Sequence, residues 1–370
     1  MVNQNFNDVF TTTLASRSKY LHDNMSKNSA LLSRLKEKGK MRPISGGSKI
    51  LEELEYGEGD LVWYNGYDTI SYQPKQLFTA AEYALKLCAV PVAISGEELL
   101  MNSGNEQIMD LLEKRVSNAE KTLVNKMSAA VYGDGTGSSG KEIGGLALLV
   151  ADDPTSGTVG GINRATTGNE FWRNQSVSGD ITKSNITEKM NKLYYKCSRG
   201  GDKPDLIVCD DTLYSIYDSS LMDLQRFSDP KMADAGFTSL KFKGADVIYD
   251  GGQGGYCPEN HMYFLNTDYI YLRTHKDRDM KIIGGDRMAV NQDALYRIIG
   301  WAGNLTMSNA ALQGVLIKTV AEESNGGSDV TNEGSTETGS TEAGSTETGG
   351  TNGGSDEGGS DEGGSQEGGN

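Results

Sequence analysis

The chain has 370 residues, 36% of them hydrophobic, with 51 acidic against 35 basic residues and a formal net charge of −16. Twelve of the acids and none of the bases fall between residues 321 and 370, so the acidity belongs to the tail and is no partner signal for the rest. No apolar run reaches 18 residues and no apolar segment follows Met1, so neither a membrane span nor a signal peptide is expected.

Residues 1–49 carry nine Lys or Arg against Asp8, Asp23 and Glu37 and read as a basic N-terminal arm, solvated rather than built for phosphate. Within it Leu31, Leu32 and Leu35 predict a short helical piece that docks on a neighbour. Residues 50–94 read as a long hairpin: Trp63, Tyr64, Tyr67, Tyr72, Phe78 and Tyr83 are spaced among polar residues and turn formers. A hairpin with no covering layer is marginal alone. Its rings are therefore expected to be buried by another subunit, with Trp63, Tyr64, Tyr67, Tyr72 and Phe78 as intersubunit anchors. Packing inside the same subunit is the competing reading for each ring.

Ile108, Leu111, Leu112, Val116, Ala119, Leu123, Met127 and Ala130 recur at spacings of three and four and predict a helix over about 105–132. Glu113, Lys114, Glu120 and Lys121 fill its opposite face, and Gly133 is its expected C-cap. At 1.5 Å per residue it spans roughly 40 Å, enough to act as a spine.

Asn185 followed by Glu188 predicts a capping box, with Ile186, Met190, Leu193, Tyr194 and Cys197 continuing the helix to Gly200. A short buried strand at 205–209 precedes Asp210 and Asp211, which cap a helix facing Leu213, Ile216, Tyr217, Leu221 and Leu224 inward. Strands are expected at 239–243, 245–250, 262–265, 269–273 and 294–306, with an apolar piece at 310–317. Strands and helices mix without βα repetition, which gives an α+β class. Residues 321–370 repeat GSTET, GSTEA, GSDEG and GSQEG every five residues and offer little to bury, so a solvated brush is expected. Calcium-binding glycine–aspartate repeats have a nine-residue period, which is absent.

Little in the chain points to chemistry. Cys88, Cys197, Cys209 and Cys257 form no CxxC pair and read as free thiols. Cys257 and His261 flank Pro258 without a second ligand pair, so no zinc site is expected. The stretch Gly135–Lys141 matches GxxxxGK, but a predicted helix precedes it where a P-loop needs a strand, and Glu142 stands where Ser or Thr would hold Mg²⁺. With no nucleophile–base pair and no tuned carboxylate pair in view, no catalytic, cofactor or metal residues are assigned.

Three segments resemble one family. GYDTISYQPKQLFTAAEYALKLCAVPVAISGEELLMNSG (66–104), VYGDGTG (131–137) and GTVGGINRATTGNEFWRNQ (157–175) are similar to the major capsid proteins of tailed bacteriophages with the HK97-type fold. The resemblance covers about 45–320 and excludes the acidic tail. It implies an N-terminal arm (1–49), an extended E-loop (50–94), a P-domain (95–145 and 265–320) and an axial A-domain (146–264), followed by the tail at 321–370. It implies a homo-oligomer of hexamers and pentamers forming an icosahedral shell, assembled in the host cytoplasm and ending in the virion. Packaged double-stranded DNA would be met by non-specific contact, with scaffold, decoration and portal proteins as possible separate partners. Some relatives lock the shell by a Lys–Asn isopeptide bond; Lys75 with Asn304 or Asn309 are the conceivable pair, but no motif supports the step. An encapsulin-like compartment shell is the alternative, and a nucleotide-binding enzyme using the 135–141 loop a remote one.

Overall fold

The computed structural model describes residues 29–57, 59–70, 75–101, 105–221, 239–251, 255–288 and 293–319. The chain begins with helix α1 (Ala30–Glu37), strand β1 (Met41–Ile44) and the antiparallel pair β2 (Lys49–Glu55) and β3 (Phe78–Ala84). Strand β4 (Lys86–Ser95), the short helix α2 (Gly96–Met101) and the spine α3 (Asn105–Tyr132) follow. Next come β5 (Thr158–Val159), β6 (Ile162–Asn163), β7 (Gln175–Gly179), α4 (Ile186–Lys196), β8 (Leu206–Cys209) and α5 (Asp211–Ser220). Apart from a short 3-10 turn (Thr267–Tyr269), the regular elements that follow among the described residues are strands: β9 (Ser239–Phe242), β10 (Ala245–Tyr249), β11 (His261–Leu265), β12 (Ile270–His275), β13 (Lys281–Met288), β14 (Ala294–Met307) and β15 (Gly314–Lys318).

All four residues of β8 are fully buried because its two faces feed two different cores. Ile207 and Cys209 face Met190, Leu193, Leu213 and Tyr217 of α4 and α5. Leu206 and Val208 face a second core shared with α1 and the spine. The period-2 alternation of strand side chains makes this division. The sheet has six strands in the order β7-β15-β11-β8-β10-β9. A five-stranded sheet runs β1-β12-β14-β13, with β4 paired on β14 from Lys86–Gly303 to Ser95–Ala294. The spine packs on β4 through Val116, Ala119, Leu123 and Met127, all buried as their spacing predicted. The expectations at Ile108, Leu111, Leu112 and Leu224 fall on side chains outside those described.

Several expectations are corrected. Leu31, Leu32 and Leu35 do not wait for a neighbour: they are fully buried in this chain's own core. Arg34 pairs with Asp246 and Lys38 with Asp205, and β1 continues as a parallel partner of β12. Residues 30–44 thus belong to the body rather than to an arm. Strand β4, expected inside the hairpin, pairs instead with β14, so the hairpin proper is β2–β3. Strand β15, expected with the P-domain, lies in the six-stranded sheet between β7 and β11.

Gly133 does not end the spine in a left-handed cap. Its φ is not positive, and its N–H closes a tight turn on the Ala130 carbonyl, 3.2 Å away. The expected capping box at Asn185 and Glu188 is not made; a partial one stands three residues upstream. Asn185 Oδ1 accepts from the Thr182 N–H at 2.9 Å, while the Ile186 N–H donates to the Thr182 carbonyl at 3.0 Å. Thr182 begins the turn and Asn185 reaches back to its N–H, half of a capping box; the Thr182 hydroxyl meets Ser184 instead of the Asn185 N–H, which donates to the Thr182 carbonyl.

Candidate assembly surface

The β2–β3 hairpin has one inward face and one outward face, and the alternation is complete: Ile50, Glu52 and Leu54 are buried while Lys49, Leu51, Glu53 and Glu55 are exposed. A carboxylate on the buried face needs a partner, since burying an unpaired charge is costly. Glu52 has three bonds: Arg273 on β12 donates Nε and Nη2 to it at 2.6 and 2.7 Å, and the Thr306 hydroxyl on β14 donates at 2.8 Å. This bidentate geometry is the strong, orientation-fixing form of an Arg–carboxylate contact. Tyr83, opposite Ile50 on β3, donates its hydroxyl to the Met307 carbonyl at 3.0 Å, and burial pushes its pKa well up.

A folded-back segment, residues 150–175, supports the hairpin along the outer edge of β3. Gly160 (φ +57°) accepts from the Glu82 N–H at 2.8 Å and lies so close that a Cβ there would stand 2.7 Å from that of Ala81. Tyr56 stacks on Phe171 with ring centres 4.5 Å apart. The segment is tied together by Arg164, a fully buried guanidinium with no carboxylate partner among the described residues. It donates Nε to the Trp172 carbonyl at 3.0 Å and Nη2 to the Leu149 carbonyl at 2.7 Å, and burial pushes its pKa down to about 10. Sequence reading passed over Arg164, Glu52 and Gly160. Only the segment 157–175 as a whole had been noted, and an isolated arginine among polar residues carries no local signature.

Beyond the anchored base, residues 56–77 carry no helix or strand among the described residues. Four of the five rings chosen from sequence are described here, and all four are open: Trp63 is 89% exposed, Tyr64 64%, Tyr67 105% and Phe78 63%. Tyr72 lies outside the described residues. Leu61, Val62 and Ile70 are exposed in the same loop, and Leu51 and Phe78 extend the apolar surface onto the strands. Aliphatic residues exposed singly are ordinary, but this concentration on one segment is not. The loop is also acidic: Glu58, Asp60 and Asp68 precede its first cation, Lys75, which pairs with Asp60.

The same protomer presents a groove of about 310 Å³ where β4 crosses the spine, floored by Val90 and Val92 and rimmed by Lys114, Arg115, Asn118 and Thr122. Arg115 bonds the Ala93 carbonyl and pairs with Glu98, which holds this rim in place.

The 135–141 stretch is a turn beneath the carbonyl end of the spine. Asp134 accepts from the Thr136 N–H and hydroxyl, Ser138 and Ser139 are left-handed, and Ser138 bonds Glu142. A phosphate loop sits at the positive N-terminus of a helix, whereas this one follows the negative C-terminus. A Cβ on Gly145 would come within 2.4 to 2.6 Å of the carbonyls of Val131, Ala130 and Gly133. Glycine here serves close packing. Asn304 is likewise used internally: it accepts from the Gly144 N–H at 3.1 Å and donates to the Ala84 carbonyl at 2.9 Å. Among the described residues no group of three or more potential ligands could hold a metal, and no helix is long and apolar enough to cross a membrane.

No protein-family model matches the chain, and no curated protein sequence does. Solved structures share its fold. The capsid of cyanophage A-1(L) superposes with a TM-score of 0.59 at 14% identity, covering 76% of this chain and 90% of that one. The capsid of the native GTA particle gives 0.53 at 10% identity, over 76% and 89% of the two chains. The SrpI encapsulin of Synechococcus elongatus PCC 7942 gives 0.50 at 9% identity, over 78% and 88%. Identities this low establish the fold, an α+β capsid-type fold of the kind the sequence resemblance implied.

Proposed function

We propose that this chain is the major capsid protein of a tailed phage, assembling into hexamers and pentamers that close an icosahedral shell around double-stranded DNA. One observation carries the reading: on a capsid-type fold, exposed apolar side chains concentrate on one anchored hairpin loop, where Trp63, Tyr64 and Tyr67 stand in water with Phe78 at the start of β3 beside them. A protomer that completes its apolar burial only against copies of itself makes head-to-tail contacts, and such contacts close into rings. Intersubunit roles for these residues and for Tyr72 belong to this proposal.

The receiving surface that fits the loop best is the groove between β4 and the spine on the next copy. Its aliphatic floor suits the rings, and Lys114 on its rim suits a segment with three acids before its first lysine. Aromatic anchors in a desolvated pocket dominate such interfaces. The reading assigns no reaction and no cofactor to the chain, and places it in the virion.

Negative-stain microscopy of the purified chain, with and without a co-expressed scaffold, tests the reading. Closed particles are expected, and nuclease-protected DNA inside particles from infected cells would separate a phage head from a compartment shell. Particles filled with an enzyme would favour the encapsulin alternative; monomers under every assembly condition would remove both.

A further inference from the structure

Helix α4 buries Ile186, Met190, Leu193 and Tyr194 and turns the opposite face to solvent. That face carries Lys189, Lys192 and Lys196 at spacings of three and four, which places them on one stripe. Lys192 and Lys196 are exposed and Lys189 is half-buried; Lys183 just before the helix and Arg199 and Lys203 just after it are exposed, so residues 183–203 hold six cations against Glu188 and Asp202. Beside the stripe Tyr195 is exposed, with the Lys243 Nζ 3.9 Å from its ring centre and bonded to its hydroxyl at 2.7 Å. Lys243 sits at a positive φ of 49° in the β9–β10 turn, so the turn itself presents its ammonium beside α4.

A solvated face does not account for this pattern. Like charges three and four apart on a helix repel and destabilise it. The helix dipole accounts for Lys196 in the last turn, but not for Lys183 and Lys189, which lie toward the positive end. None of Lys183, Lys192, Lys196 and Lys203 is in a salt bridge among the described residues. The surroundings have the opposite sign: the first 320 residues are net acidic although residues 1–49 and 183–203 are both net basic.

We propose that this face of α4, extended by Lys183, Arg199, Lys203 and the Tyr195–Lys243 pair, binds the phosphate backbone of duplex nucleic acid without reading its sequence. Lys189 to Lys196 spans about 10 Å at 1.5 Å per residue, which matches the axial rise of about three phosphates on one strand at 3.4 Å each. The inference deepens the shell reading, from which it takes the nucleic acid as partner, and assigns that contact to one surface.

Fluorescence anisotropy with a labelled random-sequence duplex of about 30 base pairs tests it on the full chain between 50 and 200 mM salt. Wild type is expected to bind with an affinity that falls steeply with salt. The triple variant Lys189→Glu, Lys192→Glu, Lys196→Glu is expected to bind at least tenfold more weakly at 50 mM, with a log–log salt slope shallower by about 3. The milder Lys→Gln triple variant should fall between the two, and circular dichroism should be unchanged because none of the three side chains is buried. Charge-reversed protein that binds within twofold of wild type would overturn the assignment. Polyglutamate competing as well as unlabelled duplex would also overturn it, in favour of an acidic protein partner. Particle formation by the variants is scored separately. Intact shells that keep full DNA affinity would sink the surface and leave the shell reading standing; duplex binding by a chain that never forms shells would do the reverse.

Discussion

Glu52 and Arg273 are the residues on which the hairpin's orientation rests, and they are unequally exposed. The Glu52 side chain is 6% accessible and that of Arg273 17%, so removing either partner has different consequences. Arg273→Ala strands a buried carboxylate and is expected to cost about 3–5 kcal/mol in urea unfolding. Glu52→Ala leaves a guanidinium that can reach water, and should cost less, about 1.5–3 kcal/mol, the range for a lost charged hydrogen bond. Equal losses for the two variants would show that the pair does not bear on a buried carboxylate.

Asp250 is a second buried carboxylate, and it responds to pH. It accepts from the Tyr132 hydroxyl at 2.5 Å where the spine ends against β10. Burial, opposed by the bonds from Tyr132, Tyr256 and Ala30, raises its pKa above the ordinary carboxylate value. A raised carboxyl pKa means the folded state holds its proton more tightly than the unfolded chain does. That contribution to stability is full below about pH 4 and is lost as pH rises through the folded value. Asp134 and Asp153, lowered by their bonds to Thr136 and Thr155, work in the opposite direction, so the readout must be a difference. The urea midpoint of wild type minus that of Asp250→Asn is expected to decline from pH 4 to pH 7. A flat difference over that range would rule out the linkage.

At the scale of elements, what could be read in the sequence was what repeats with a period. The spine was legible because its apolar stripe runs unbroken, and α5 because Asp210 caps it as expected, accepting from the Leu213 N–H at 2.9 Å. Five strands, β1, β5, β6, β7 and β13, were not anticipated. β1 is Met-Arg-Pro-Ile and β7 Gln-Ser-Val-Ser-Gly, too short or too polar to show alternation, and each is held by one long-range partner, β12 and β15 respectively. The helix α1 was legible as a helix, but whether its leucines met their own chain or another could not be read, because a stripe records burial and not the identity of what buries it.

The same limit hid the support of the hairpin by residues 150–175, where backbone proximity matters more than side-chain type. Gly160 and Gly161 separate the two costs of substituting such a glycine. Both have positive φ, at 57° and 74°, but a Cβ on Gly161 meets only Glu82 at 3.8 Å, while one on Gly160 collides with Ala81. Gly161→Ala should therefore lose only the left-handed strain of about 1–2 kcal/mol. Gly160→Ala should lose that and roughly 1–3 kcal/mol more from forced repacking, read as the difference in denaturation midpoints. Similar losses at both positions would mean the hairpin yields freely to the collision.

At the scale of the whole molecule, the described chain divides its large apolar side chains unevenly between solvent and core. Leucines of α1, both faces of β8 and the inner stripe of the spine are closed to water by the chain itself. The rings of the 56–77 loop are not, although the loop's base is among the most firmly tied parts of the fold. Rigid support under an uncovered apolar segment is a poor arrangement for a protomer that works alone and a good one for a protomer that must present the segment to a partner at a fixed angle. The two cases give opposite outcomes for the triple variant Trp63→Ala, Tyr64→Ala, Tyr67→Ala. Truncating exposed side chains leaves protomer stability nearly unchanged, within about 0.5 kcal/mol per site. Truncating interface anchors removes about 2 kcal/mol or more at each hot spot, and in a closed shell every copy suffers the loss. The variant is therefore expected to unfold at the wild-type urea midpoint yet to remain as unassembled protomers by sedimentation velocity where wild type forms particles. If it instead unfolds early, the rings are covered within the protomer. If it assembles normally, the loop is not the element that joins one copy to the next.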